Sequence, residues 1–289
     1  MLTVLLLNVL VVGAGYGLIA MAFALMCSVA PFFNMTLGSV IAFGSYGAYG
    51  MMKLLGLSPY AAIPLSIALC AFITLILERF VYTPLRKRGA SSMVLLVASL
   101  GLYTIFEALI HLVFGPQYQI LGAFSADTVN IGPLSVPPVQ VVTVLVDAAV
   151  FLFLNFMLLH TFFGKLVRAV SDNANLANVA GINNNKVILI VSVLTGFILG
   201  TSGVLTGYDT GLEPTMGFNL LFKGIIAAII GGMGTMKGPF LGAFFLAFAE
   251  NIGVMMWASE WRDLVAFVIF TLFLVFRPQG IFQTKENKC

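Results

Sequence analysis

From Met1 to Met52 no side chain carries a formal charge, and Lys53 is the first that does. Val139–Phe163 holds only one, Asp147. Apolar runs of this length read as membrane-crossing helices, because about 20 apolar residues span the hydrocarbon core. They are continuous rather than alternating at every second position, which favours helices over a barrel. Breaks at polar, proline and glycine positions place spans near 5–30, 36–53, 60–80, 91–115, 139–163, 186–208, 219–256 and 262–276. The seventh is too long for one crossing, since about 30 residues suffice even with strong tilt. It also contains Gly231-Gly232-Met233-Gly234-Thr235-Met236-Lys237-Gly238-Pro239, which a smooth helix disfavours. Split at that loop, the chain gives eight to nine membrane segments, some short or broken. The expected fold is an all-α, polytopic helical bundle, a single transmembrane domain over residues 1–289.

Composition agrees. Hydrophobic residues make up 60% of the chain and charged residues 9%, against roughly a quarter charged in soluble domains. The first residues lack a basic stretch of the kind that opens a secretory leader, so the first run reads as a retained span. Cys27, Cys70 and Cys289 offer neither a disulfide framework nor metal-ligand spacing. The net charge of +3 says nothing of nucleic acid; its placement matters more. Arg79, Arg86, Lys87, Arg88, Lys165, Arg168, Lys186, Lys237, Arg277, Lys285 and Lys288 all fall on one alternating set of loops. Lys53, Lys223 and Arg262 fall at the other ends, with Asp127, Asp209, Glu213, Glu260 and Asp263. The positive-inside rule then sets the C-terminus in the cytoplasm and the N-terminus outside.

The longest inward loop, residues 164–185, has structure of its own. Lys165–Val170 can continue the fifth span. Ser171, Asp172 and Asn173 are N-cap candidates for a short helix over Ala174–Ala180. Leu176, Val179 and Ala180 share one face of it, Gly181 stands where a terminating glycine belongs, and Asn183 or Asn184 can cap the next span. Such a stub is either a plain connector or a docking helix whose apolar stripe enters a groove on a cytoplasmic partner.

Several stretches resemble the permease subunits of branched-chain amino-acid ABC importers. Arg168-Ala169-Val170 and Leu176-Ala177-Asn178-Val179-Ala180-Gly181-Ile182-Asn183 are similar to the family's cytoplasmic loop. Leu77-Glu78-Arg79-Phe80-Val81-Tyr82-Thr83-Pro84-Leu85-Arg86 looks like its Glu-Arg-x-x-x-x-Pro-Leu-Arg element. Met216-Gly217-Phe218, Lys223-Gly224 and the run Ala227–Pro239 resemble its glycine-rich signature. Ala249-Glu250, Ser259–Asp263 and Phe276–Phe282 follow in the expected order. The chain departs from the family's Asn-Phe-Ala-His-Gly, reading Asn34-Met35-Thr36-Leu37-Gly38.

The resemblance implies a pathway built by two permease subunits, identical or homologous, with two cytoplasmic ATP-binding subunits and an external solute-binding protein. It makes the 174–180 stub a coupling helix. Arg168, Ala169, Leu176, Val179, Gly181 and Ile182 are then the residues that meet the ATPase. The setting is a bacterial inner membrane, the solute a branched-chain amino acid. Related scaffolds carry urea, short amides or nucleosides instead.

Other residues are singled out by their place in a span. Glu107, Asp147 and Glu250 are ionisable groups at membrane depth, where such groups are costly. Glu107 can face His111, one turn on, and Asp147 is expected to reach water from the outer third of its span. For each, an interhelical hydrogen bond is the plain alternative to a substrate role. Gly44, Gly47 and Gly50 bring backbones close, and unwound backbone near Asn34, Thr36 and Ser39 can present amides and carbonyls to a zwitterion. Asn34, Thr36, Ser39 and Glu107 are therefore the substrate-path candidates. No Gly-Lys-Ser/Thr follows the glycines of 231–238, so ATP hydrolysis belongs to another subunit. No nucleophile–base set, metal cluster or cofactor motif appears, which speaks against an enzyme. An ion-coupled secondary transporter using Glu107, His111 and Asp147 is the rival reading.

Overall fold

The structure is a computed structural model that describes residues 2–121, 129–131, 134–234, 237–256, 259–277 and 280–281. Among the described residues, nine helices occupy the expected spans: α1 (Leu2–Val29), α2 (Thr36–Leu55), α3 (Pro59–Leu77), α5 (Ser92–Phe114), α6 (Pro138–His160), α9 (Asn184–Thr210), α10 (Met216–Gly231), α11 (Lys237–Met256) and α12 (Arg262–Phe276). A π-helical turn, Glu78–Tyr82, joins α3 to the short α4 (Thr83–Lys87). Two more helices, α7 (Phe162–Asp172) and α8 (Ala174–Val179), lie between α6 and α9. The fold is an all-α polytopic bundle. A three-residue hairpin, β1 (Val129–Ile131) against β2 (Leu134–Val136), sits in the connection before α6 and does not alter that class. Among the described residues, six helical runs are long and apolar enough to cross a membrane unaided. At 1.5 Å per residue the 16-residue α10 reaches only about 24 Å.

Helix ends follow local chemistry. Ser91 accepts a hydrogen bond from the Val94 amide at the start of α5, and Asn183 from Lys186 at the start of α9. Pro59 occupies the first turn of α3, where its missing N–H is not needed. The seventh apolar run divides as expected, α10 ending at Gly231 and α11 opening at Lys237. A side chain at Gly231 would collide with the Gly238 carbonyl, so the two helices meet backbone to backbone.

One expectation needs correction. Residues 165–170 do not continue the fifth span: α6 stops at His160 and α7 starts afresh. Thr161 turns to extended geometry there, and its hydroxyl accepts from the Gly164 amide 3.3 Å away. That bond caps a new helix, and Gly164 leaves room for the Leu158 carbonyl pressed against it.

The chain forms two compact units. One comprises Met1–Ala24, Phe124–Ala149 and Phe222–Cys289; the other comprises Leu25–Ala123 and Val150–Leu221. In the second, α2, α3 and α9 pack through small residues. The Ser45 hydroxyl donates to the Gly203 carbonyl at 2.8 Å and Ser192 to the Thr74 carbonyl at 3.1 Å. A methyl at Gly203 would overlap the Ile41 carbonyl, and one at Gly44 would lie 2.6 Å from the Gly200 carbonyl. Gly47 and Gly50 face side chains, Ser66 and Phe114, rather than backbone. An apolar core of Ala42, Tyr46, Ile110, Leu121, Val204 and Leu212 lies beyond these contacts. In the first unit, Gly13 and Gly17 of α1 receive Phe244 and Phe240 of α11, whose rings lie 5.0 Å apart.

Candidate functional site

Pro31 ends α1, since it cannot donate to continue the helix. The chain then runs non-helically to Thr36, and its polar side chains are buried: Asn34 is 3% exposed and Thr36 and Ser39 are each 1%. Buried polar groups must find partners, and here they find one another. The Thr36 amide donates to Asn34 Oδ1 at 3.1 Å, and its hydroxyl lies 2.5 Å from the Tyr82 phenol and donates to the Ser99 carbonyl at 3.1 Å. Tyr82 donates to Asn34 Oδ1 at 3.0 Å. The Met35 amide donates to Ser99 Oγ at 3.1 Å, while Ser39 Oγ donates to the Thr36 carbonyl at 2.7 Å. Asn34, Thr36 and Ser39 are thus brought together, with Tyr82 and Ser99 added. Sequence reasoning did not single these two out; their signal is a polar residue on the inner face of an otherwise apolar helix.

The π turn explains the presence of Tyr82. It places Tyr82 against Thr36 while Glu78, fully buried, pairs with Arg86 and accepts from the Thr83 hydroxyl at 3.1 Å. Wider helical turns of this kind recur at functional sites. Close by, Gly38 and Gly217 bring the first turns of α2 and α10 into contact: a methyl at Gly38 would lie 3.1 Å from the Gly217 carbonyl. Tyr103 completes this region, its ring centroid 5.5 Å from that of Phe218. Glu107, half-buried, lies close to the Tyr103 hydroxyl.

The other two membrane-depth acids differ. Glu250 is fully buried, yet Lys223 Nζ lies 3.6 Å from Oε1, Arg262 Nε lies 3.9 Å from Oε2, and Tyr16 donates to Oε2 at 3.2 Å. Lys223 also pairs with Asp263 at 3.0 Å. The sequence shows these charges singly; the fold gathers them, tying α1, α10, α11 and the start of α12. Asp147 does not reach water as expected. It is 1% exposed, because α6 turns it inward.

In the 164–185 loop, Asn173 caps α8 by accepting from the amides of Asn175 and Leu176 at 3.0 and 3.1 Å. Gly181, at φ 85°, ends it: its amide donates to the Asn178 carbonyl and that of Ile182 to the Ala177 carbonyl. This paired arrangement needs a left-handed residue, for which glycine is best suited. Arg168 on α7 donates to the Leu158 carbonyl at 3.1 Å, and Ala169 accepts from the Asn173 amide. Ala177 is the buried side of the stub. Leu176 and Val179 stand 67% and 87% exposed.

A profile of the family described as branched-chain amino acid transport system, permease component, matches residues 5–274. The chain belongs to this family. BraD of Pseudomonas aeruginosa, a high-affinity branched-chain amino acid transport system permease protein, is 28% identical over 296 residues, covering 97% of this chain and 95% of the relative. LivH of Escherichia coli K12, another such permease protein, is 24% identical over 293 residues, covering 96% and 94%. A chain of the Streptococcus pneumoniae PsaBC complex with Fab shares the fold with a TM-score of 0.54 at 15% identity, covering 95% of this chain and 93% of that one. The chain is thus the multi-pass permease subunit of an ABC importer, in a family of transport proteins rather than enzymes. Such a permease works with ATPase and solute-binding components.

Proposed function

We propose that this permease conducts branched-chain amino acids across a bacterial inner membrane, paired with a second permease subunit, identical or homologous. It is one transmembrane domain over 1–289 with its N-terminus outside and its C-terminus in the cytoplasm. Two ATP-binding subunits serve the permease pair, and α8 of this chain docks on one of them, with Arg168, Ala169, Leu176, Val179, Gly181 and Ile182 at the contact. An external binding protein delivers solute to the opposite side, over 116–138, 209–218 and 257–262. Parts of these loops lie outside the described residues.

One observation carries the reading: two bare aliphatic side chains, Leu176 and Val179, sit on a stub fixed at both ends by caps. A free loop has no need of such rigidity, whereas a docking helix gains affinity from it. Closure of the ATPase pair moves this stub, and access switches because ATP favours one of two states. The Asn34, Thr36 and Ser39 break and Glu107 supply the polar side of the path, and the aromatic pair Tyr103–Phe218 supplies the apolar side.

A second solute class has support in one observation. Where the family reads Asn-Phe-Ala-His-Gly, this chain places Thr36 and joins it to Tyr82 and Asn34, a hydroxyl- and amide-rich lining suited to urea, short amides or nucleosides.

The test is uptake in proteoliposomes holding the permease, its ATPase and its binding protein. ATP-dependent leucine uptake is expected, with urea and a nucleoside as the competing cargoes. Uptake that proceeds without ATP on an ion gradient would instead establish a secondary transporter.

A further inference from the structure

We propose that Asp147, with Thr143 beside it and Gly15 opposite, forms a buried site for one small monovalent cation, a proton or a sodium-sized ion. Three independent observations meet at this point in the first unit. Asp147 is 1% exposed, and among the described residues neither carboxylate oxygen has a hydrogen-bond partner. Thr143, 5% exposed, precedes it by one helical turn on the same face of α6, and its hydroxyl is also without a partner. Across from them α1 carries glycine. A methyl added at Gly15 would have one neighbour within 4 Å among the described residues, Asp147 Oδ2 at 4.0 Å.

Gly13 and Gly17, on the other face of α1, are filled by Phe244 and Phe240, but Gly15 is met by no side chain except the acid. Gly15 is itself only half-buried, so a small ion has a way in. In this site the carboxylate and the Thr143 hydroxyl would be the donors of electron pairs to the ion.

The need for a ligand follows from energetics. An ionised carboxylate without partners in a low-dielectric interior is so unfavourable that something must neutralise it. Glu250 shows the protein's other solution, since Lys223, Arg262 and Tyr16 surround it. Asp147 has no such set. Lys223, Glu250, Arg262 and Asp263 are joined to one another, and among the described residues Asp147 has no ion pair. The compensating charge therefore comes from solution. The site concerns stability and does not depend on how uptake is driven.

The experiment is thermal unfolding of the full-length chain in lipid nanodiscs, wild type against Asp147→Asn. Sodium chloride is compared with choline chloride at equal ionic strength, each in mildly acidic and mildly alkaline buffer. A sodium-sized ion raises the wild-type midpoint by about 3 °C or more over choline in alkaline buffer, and Asp147→Asn abolishes the difference. A proton gives no salt difference, but acidification raises the wild-type midpoint relative to Asp147→Asn by a similar amount. Identical responses of the two proteins in all four buffers overturn the proposal. Should Asp147→Asn fail to fold, Thr143→Val stands in, keeping the acid while removing the hydroxyl. It is expected to halve the shift, and an unchanged shift overturns the site.

Discussion

The Thr36 hydroxyl and the Tyr82 phenol lie 2.5 Å apart, joining the first turn of α2 to the π turn that follows α3. Both are buried. Tyr82→Phe removes the phenol, whose one proton is shared between Asn34 Oδ1 and Thr36 Oγ1, and so removes one hydrogen bond from this buried group. A loss of about 1–2 kcal/mol is expected, with reduced uptake at unchanged membrane insertion. Thermal unfolding and uptake on the same preparation check this; wild-type values for both would separate the break from Tyr82.

The pair of buried Glu78 with half-buried Arg86 makes a sharper prediction. Removing one partner strands the other charge; because the Arg86 side chain is 19% exposed, the expected cost is about 1–3 kcal/mol. Glu78→Ala is expected to lower the unfolding midpoint markedly. Glu78→Leu with Arg86→Met recovers most of the loss, because an apolar pair strands nothing. A double substitution no better than the single one would show that the pair acts through more than charge.

Packing of α2 on α9 rests on absent side chains. Gly203→Ala drives a methyl into the Ile41 carbonyl, and overpacking of this kind costs about 1–3 kcal/mol. Gly101→Ala on α5 is the control, since its methyl finds nothing within 4 Å. Comparable midpoints for the two variants would contradict the contact.

Leu176→Ser with Val179→Ser changes two exposed side chains and no cap. Folding is expected to stay intact while ATP-dependent uptake falls at least tenfold and copurification of the ATPase is lost. Gly181→Pro and Arg168→Glu are expected to abolish uptake by removing the helix stop and by reversing a charge. Normal uptake in all three would refute the assigned docking role.

Orientation has its own measurement. Tyr60 and Lys87 stand near opposite ends of the helical run 59–87. Cysteines placed there, in a chain whose own cysteines are replaced by serine, are expected to react from opposite sides of the membrane, Lys87 from the cytoplasm. Labelling of both from one side would break the map.

Much of the fold was legible because the lipid phase imposes a simple code. A long uncharged run has few alternatives to a spanning helix, and the glycine loop at 231–238 forced the seventh run to divide. Asn173, Gly181 and Asn183 were readable because caps are local: a side chain serves an amide two or three residues on. The break at Thr161 escaped notice because the apolar run continues through Phe162 and Phe163, so hydrophobicity hides the capping threonine. The partners of Asn34 and Glu250 were illegible for a different reason. Tyr82 lies 48 positions from Asn34, and Tyr16 lies 234 from Glu250. Only the packing of helices, which periodicity does not encode, brings such residues together. Asp147 was misplaced because an acid's depth in a span does not reveal which way its helix turns it.

The π turn also bears on how this gene can change. A π-helical turn holds one residue more than an α-helical turn, so Glu78–Tyr82 is in effect an insertion accommodated within a helix. Phe80, at its middle, is 71% exposed, so replacing it with another apolar residue touches no partner. Deleting it is another matter. The run would relax to regular α-helix, and every later position would swing by about 100° around the axis. Tyr82 and Arg86 would then part from Thr36 and Glu78 together. Position 80 is thus expected to tolerate exchange of its side chain but not its loss.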